Sequence, residues 1–104
     1  MDRFDQLLAT IIERRSADPA SSYVAKLTAK GRAKLAQKLG EEAVEVVIAA
    51  VENDRAGLVS ESADLIFHLA LLLADMGLSF DDIRAELARR EGVSGIDEKA
   101  GRKG

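Results

Sequence analysis

The stretch from Leu65 to Ala74 constrains this chain more than any other. Leu65, Ile66, Phe67, Leu69, Ala70, Leu73 and Ala74 leave almost no polar face on the helix they predict. A helix that is apolar nearly all round belongs in an interior. A chain of 104 residues has few other helices to cover it, so the sequence predicts a helical bundle completed by a second subunit. With Glu61 as the origin of a helical wheel, Asp64, His68 and Asp75 fall near about 300°, 340° and 320°. They form one polar stripe on an apolar rod. That stripe must meet solvent, a partner or a polar cavity, because a buried unpaired carboxylate costs several kcal/mol or takes up a proton.

The remaining elements also read as helices. Phe4, Leu7, Leu8, Ile11 and Ile12 keep the i, i+3, i+4, i+7, i+8 spacing of an amphipathic helix ending near Arg15. Ser21 or Ser22 caps a short helix containing Tyr23, Val24 and Leu27, which Gly31 closes. A long helix follows from about Arg32 to Glu52, with Gly40 inside it. A mid-helix glycine costs roughly 1 kcal/mol against alanine, so Gly40 is either a tolerated defect or a point of close approach. Asn53 and Asp54 break the pattern and cap the next helix, which runs to about Met76. Gly77 stops it, and Ser79 caps a last helix from Phe80 to about Glu91. No strand-like alternation stands out. The expected fold is all-α, a bundle of four to five helices. Residues 1–92 form the domain and 93–104 a tail, placed to dock on a partner subunit.

Composition removes several classes of function. Hydrophobic residues at 47 % and charged residues at 32 % are a globular balance. The formal net charge of −3 offers the whole chain no attraction for nucleic acid. Without cysteine there is no disulfide and no thiolate metal site. The opening MDRFDQLLATIIERR does not read as a signal peptide. No apolar run approaches the ~20 residues that cross a bilayer. A cytoplasmic address is the expectation.

The chemistry lies in five carboxylates. Glu41, Glu42 and Glu45 occupy an arc of about 100° on one predicted helix, and Glu61 and Asp64 lie about 60° apart on the next. Like charges at such spacing repel, and a hard divalent cation neutralises them best. Lys34, Lys38, Glu41 and Glu45 share a narrow sector with Glu42 at its edge. Such a stripe can hold phosphates with its cations and a bridging metal with its acids. An ordinary solvated face with a Lys38/Glu42 i,i+4 pair is the plainer alternative for the lysines. His68 is a ligand, a phosphate contact or a general acid, or else a hydrogen-bonded histidine orienting Asp64 four residues earlier.

KLGEEAVEVVIAA followed by ESADLIFHLALLL resembles the phosphoribosyl-ATP pyrophosphohydrolases of histidine biosynthesis. SSYVAKLTAKGRAKLAQKLGEE and the ending LARREGVSGIDEKAGRK extend the resemblance from about Phe4 to Lys103. The core EExxE and ExxD motifs are those of the wider MazG-like all-α nucleoside triphosphate pyrophosphohydrolases. The resemblance implies hydrolysis of phosphoribosyl-ATP to phosphoribosyl-AMP and pyrophosphate with Mg²⁺, or Mn²⁺ in its place. It implies a cytoplasmic homodimer or higher homo-oligomer. It puts Glu41, Glu42, Glu45, Glu61 and Asp64 at the metal-binding positions, and Lys34 and Lys38 on phosphate, with His68 a further substrate contact. Glu42 or Glu45 would position the attacking water. Val24 stands where the family often has threonine, so no hydroxyl contact carries over there. Two rival readings remain: a house-cleaning enzyme for ordinary (deoxy)nucleoside triphosphates, and a non-enzymatic helical dimerisation or adaptor module.

Overall fold

A computed structural model describes residues 1–92 and contains five helices. They are α1 (Arg3–Arg14), α2 (Tyr23–Ala29), α3 (Arg32–Val51), α4 (Arg55–Met76) and α5 (Phe80–Arg90). There is no strand among the described residues. The expected tail, 93–104, lies outside them. Each helix ends within about a residue of the sequence expectation. The first cap is an addition: Asp2 and Asp5 form a capping box, with Asp5 N–H donating to the Asp2 carboxylate at 2.9 Å.

The turn between α3 and α4 is the decisive piece of local structure. Asn53 sits in the left-handed region at φ 56°. Its N–H donates to Ala50 O at 3.1 Å, and the N–H of Asp54 donates to Ala49 O at 2.9 Å. This is a Schellman closure with asparagine in place of glycine. Asp54 then caps α4 at once, accepting from Gly57 N–H at 2.8 Å. So short a connection sends α4 back along α3.

Leu35 and Ala49 are the buried residues of α3. They lie two heptads apart, with Glu42 midway between them on the same face. On α4 the residues at matching spacing are Glu61, Asp64, His68, Leu71 and Asp75, of which His68 and Leu71 are buried. The polar stripe therefore lies on the α3 side of α4, with Asp64 still exposed to solvent. Leu8 and Ile11 of α1, Val24 and Leu27 of α2, and Phe80 of α5 complete the core around the C-terminal half of α4. The other half of the α3–α4 hairpin projects beyond that core. Val44, Val47, Val51 and Val59 are exposed there, Val51 at 81 %. Only part of the apolar rod is thus covered within one chain. A Cβ on Gly40 would meet nothing within 4 Å, so among the described residues no element makes a close approach there.

By length and composition α4 passes as a membrane-crossing helix, with a mean hydropathy of 1.5 over 18 residues. The apolar run itself is shorter, around Leu65 to Ala74 with His68 interrupting it, so the whole helix passes where the run does not. Its apolar C-terminal half is explained by the core it packs into.

Two arginine clusters hold the lower end. Asp75 receives Arg32 Nε at 2.6 Å and Arg15 Nη2 at 3.4 Å, and Arg15 also donates to Ala74 O at 2.9 Å. Two cations thus meet the negative end of α4 and tie it to α1 and α3. Arg84 joins α5 to the start of α1 through Asp2, Asp5 and Asp81. The Asp5 hydrogen bond, with help from Asp81, holds its guanidinium above the usual arginine range. Asp75→Ala should lower unfolding free energy by about 1–3 kcal/mol, because the Asp75 side chain is only 16 % exposed and its loss leaves two arginines unpaired. Urea denaturation of the variant against wild type measures it.

Candidate metal centre

The turn at Asn53 sets the register of the site. Glu42 and Asp64 are equally far from Asn53 in sequence, and so are Glu45 and Glu61. An antiparallel hairpin about that residue brings each pair to the same level. Carboxylate oxygens of Glu42, Glu61 and Asp64 lie within 4.8 Å of one another. Burial is the largest influence pushing the Glu61 carboxyl above its ordinary value, followed by the charges of Asp64, Glu45, Glu42 and Asp54. Glu45 therefore acts on the cluster electrostatically, from beside the converging trio.

Glu41 is turned elsewhere. It accepts from Gln37 Nε2 at 3.0 Å and pairs with Lys38 Nζ at 3.5 Å. The Gln37 hydrogen bond is the main influence lowering its carboxyl, with smaller contributions from Lys38 and Lys34. The sequence wheel places Lys34, Lys38, Glu41 and Glu45 in a narrow sector with Glu42 at its edge, and in the fold it is this edge residue that shares the inward face with Leu35 and Ala49. That seven-residue spacing was the signal available in the sequence. Gln37 was also missed, although its i,i+4 relation to Glu41 is visible there.

His68 is buried, at 6 % exposure. Its Nδ1 lies 2.8 Å from the main-chain carbonyl of Asp64. Only a protonated Nδ1 can make that bond, so Nδ1–H donates and fixes the ring. Nε2 has no hydrogen-bond partner among the described residues. The imidazole thus braces the helical turn that carries Asp64 through its backbone, without touching the carboxylate. Asp75, on the same wheel stripe, is bound to Arg15 and Arg32 at the opposite end of the hairpin and plays no part in the cluster.

The donor set has a definite chemistry. Three carboxylates from two helices offer only oxygen, and among the described residues no ion pair with a lysine or arginine is formed by Glu42, Glu61 or Asp64. Such a set suits a hard divalent ion that keeps some of its water. The neighbouring carboxylates add to burial, the larger influence, in raising the Glu61 carboxyl.

Comparison with known proteins agrees. A family model described as "Phosphoribosyl-ATP pyrophosphohydrolase" matches residues 4–91. A phosphoribosyl-ATP pyrophosphatase of Rhizorhabdus wittichii is 63 % identical over 98 residues, covering 94 % of this chain and 92 % of the relative. The one from Erythrobacter litoralis is 59 % identical over 102 residues, covering 98 % of each. That of Azospirillum brasilense is 57 % identical over 99 residues, 95 % of this chain and 89 % of its own length. Matches of this extent, together with the acidic α3–α4 hairpin, mean that the chain belongs to the phosphoribosyl-ATP pyrophosphohydrolase family.

Proposed function

We propose that this chain hydrolyses phosphoribosyl-ATP to phosphoribosyl-AMP and pyrophosphate, the second step of histidine biosynthesis, using Mg²⁺ held by Glu42, Glu61 and Asp64. The observation that carries the reading is the convergence of those three carboxylates in a chain whose relatives bear the name of that activity. When bound, the ion would neutralise the triphosphate and lower the pKa of water. Mn²⁺ meets the same oxygen donors and is the natural substitute.

The chain's own groups do the rest. Glu45 lies beside the trio and acts on Glu61 through space, which leaves it able to orient a water and accept its proton. Water adds to one phosphorus of the α–β anhydride and the bridging P–O bond breaks, its electron pair leaving with the other phosphate group, so that phosphoribosyl-AMP and pyrophosphate are released. Glu42 shares the water-positioning role as the inward acid of α3. Lys34 and Lys38 would contact the polyphosphate, Lys38 leaving Glu41 to do so. Glu41 would join the metal set only by giving up Gln37 and Lys38. His68, buried as it is, serves the substrate through the backbone of Asp64.

A homodimer in the cytoplasm completes the proposal. What supports pairing is apolar surface: the exposed valines of the hairpin, and a groove of about 670 Å³ between α1 and α4 that includes Phe4, Leu7, Val59 and Ile66. A second copy of the chain has matching apolar helices to place there.

The first assay is pyrophosphate release with Mg²⁺ from phosphoribosyl-ATP beside ATP, dCTP and dUTP. Strong preference for phosphoribosyl-ATP is expected, and equal turnover of the ordinary nucleotides would replace the substrate while keeping the chemistry. Glu45→Gln should fold normally and lose activity by about a hundredfold or more; near wild-type turnover would remove Glu45 from the mechanism.

Metal binding is tested by stability. A raised carboxyl means the folded chain holds the Glu61 proton more tightly than the unfolded chain. Its contribution to stability is therefore full below the ordinary value near 4.5 and is lost as pH rises through the folded value. At neutral pH without metal, Glu61→Gln should melt higher than wild type. With millimolar Mg²⁺ the wild type should gain stability by mass action and the variant should not. Dimerisation predicts a sedimenting mass of about twice 11.2 kDa at micromolar concentration. Val59→Asp in the groove should return it to the monomer.

A further inference from the structure

Phosphoribosyl-ATP is charged at both ends. Its triphosphate belongs with the carboxylates and lysines of the α3–α4 hairpin. Its other end is a ribose 5-phosphate carried on the adenine ring, and nothing assigned so far binds that second anion.

A separate recess of about 440 Å³ opens between the end of α1 and the start of α2. Arg14, Ser21, Ser22, Tyr23 and Phe67 are among its lining, which includes no acidic side chain among the described residues. Three features fit it to a phosphate monoester. Arg14 makes no hydrogen bond or ion pair among the described residues, whereas its neighbour Arg15 is committed to Asp75 and Ala74. Ser22 Oγ accepts from Ala25 N–H at 3.2 Å, which leaves its own O–H free to donate outward. Ser21 is already spent on Asp18 O at 3.2 Å. Tyr23 is 57 % exposed and stacked on Phe67, with ring centroids 6.2 Å apart and planes 16° from parallel.

Phe67 connects this recess to the metal centre. It stands three residues after Asp64 on α4, about one helical turn away. A ligand anchored at Asp64 by its polyphosphate therefore needs to run only along α4 to reach Tyr23 and Arg14. We propose that this recess is the phosphoribosyl subsite: Arg14 pairs with the 5′-phosphate, the Ser22 hydroxyl donates to it, and the Tyr23 ring covers the sugar. The subsite would distinguish phosphoribosyl-ATP from ordinary nucleoside triphosphates, which have no second phosphate to place there. It rests on the substrate assigned above.

The test compares wild type, Arg14→Gln and Arg14→Lys on phosphoribosyl-ATP and on N1-ribosyl-ATP, which lacks only the distal phosphate. Arg14 is exposed on the last turn of α1, so both substitutions should fold, and circular dichroism checks this. With phosphoribosyl-ATP, Arg14→Gln should raise KM about tenfold or more with kcat within about twofold, and Arg14→Lys should recover part of the loss. Wild type on N1-ribosyl-ATP should show the same raised KM, to which Arg14→Gln adds nothing. An unchanged KM for Arg14→Gln, or an equal rise on both substrates, overturns the subsite while leaving the activity in place. Wild-type protein that releases no pyrophosphate from phosphoribosyl-ATP overturns the substrate assignment and the subsite together.

Discussion

The site depends on one tight turn. Asn53 in the left-handed region closes α3, and Asp54 opens α4 with no slack between them. The register of two long helices follows from that connection. A spare residue there would let α4 slide or rotate, and side chains three or four residues apart would exchange levels. Asp75, bound by Arg32 of α3 and Arg15 of α1, holds the same register from the other end. Between turn and clamp, Glu42 has little choice but to face Glu61 and Asp64.

That arrangement works against electrostatics. Three carboxylates with oxygens within 4.8 Å repel, and this repulsion adds to burial, the larger influence, in raising the Glu61 carboxyl. Packing in the lower half offsets the strain, where α1, α2 and α5 surround the apolar end of α4. The seam between α3 and α4 is thus divided by function. Leu35 and Leu71 bury its lower part, His68 braces the middle, and the acids occupy the top. A divalent ion would convert the repulsive end into an attractive one, which couples the proposed cofactor to the stability of the hairpin.

The rest of the surface can be read in the same terms. The projecting hairpin exposes valines that no other described residue covers, and the groove beside α1 is lined largely by apolar side chains. The recess at Arg14 is different in kind, with a cation that has no partner among the described residues, one available hydroxyl and an exposed aromatic ring. In the proposed reading, the first two surfaces meet a second copy and the third meets the far end of the substrate. Apolar area serves assembly, and sparse, well-placed polar groups serve recognition.

The sequence by itself determined the helices, their caps and the identity of the acids. Those are local properties: Ser22, Asp54, Gly77 and Ser79 act on the backbone within a few residues, and apolar spacing marks a face whatever lies opposite. It also contained the level of each acid, since Glu42 and Asp64 stand equally far from Asn53. Only the tertiary structure decided how α3 is rotated about its axis. That rotation follows from burying Leu35 and Ala49, and it turns Glu42 inward while leaving Glu41 to Gln37 and Lys38. It likewise decided that Asp75 is a clamp and that Arg14 shares a recess with Tyr23. A wheel shows which residues share a face, but the partner of that face is set by the packing of the whole bundle.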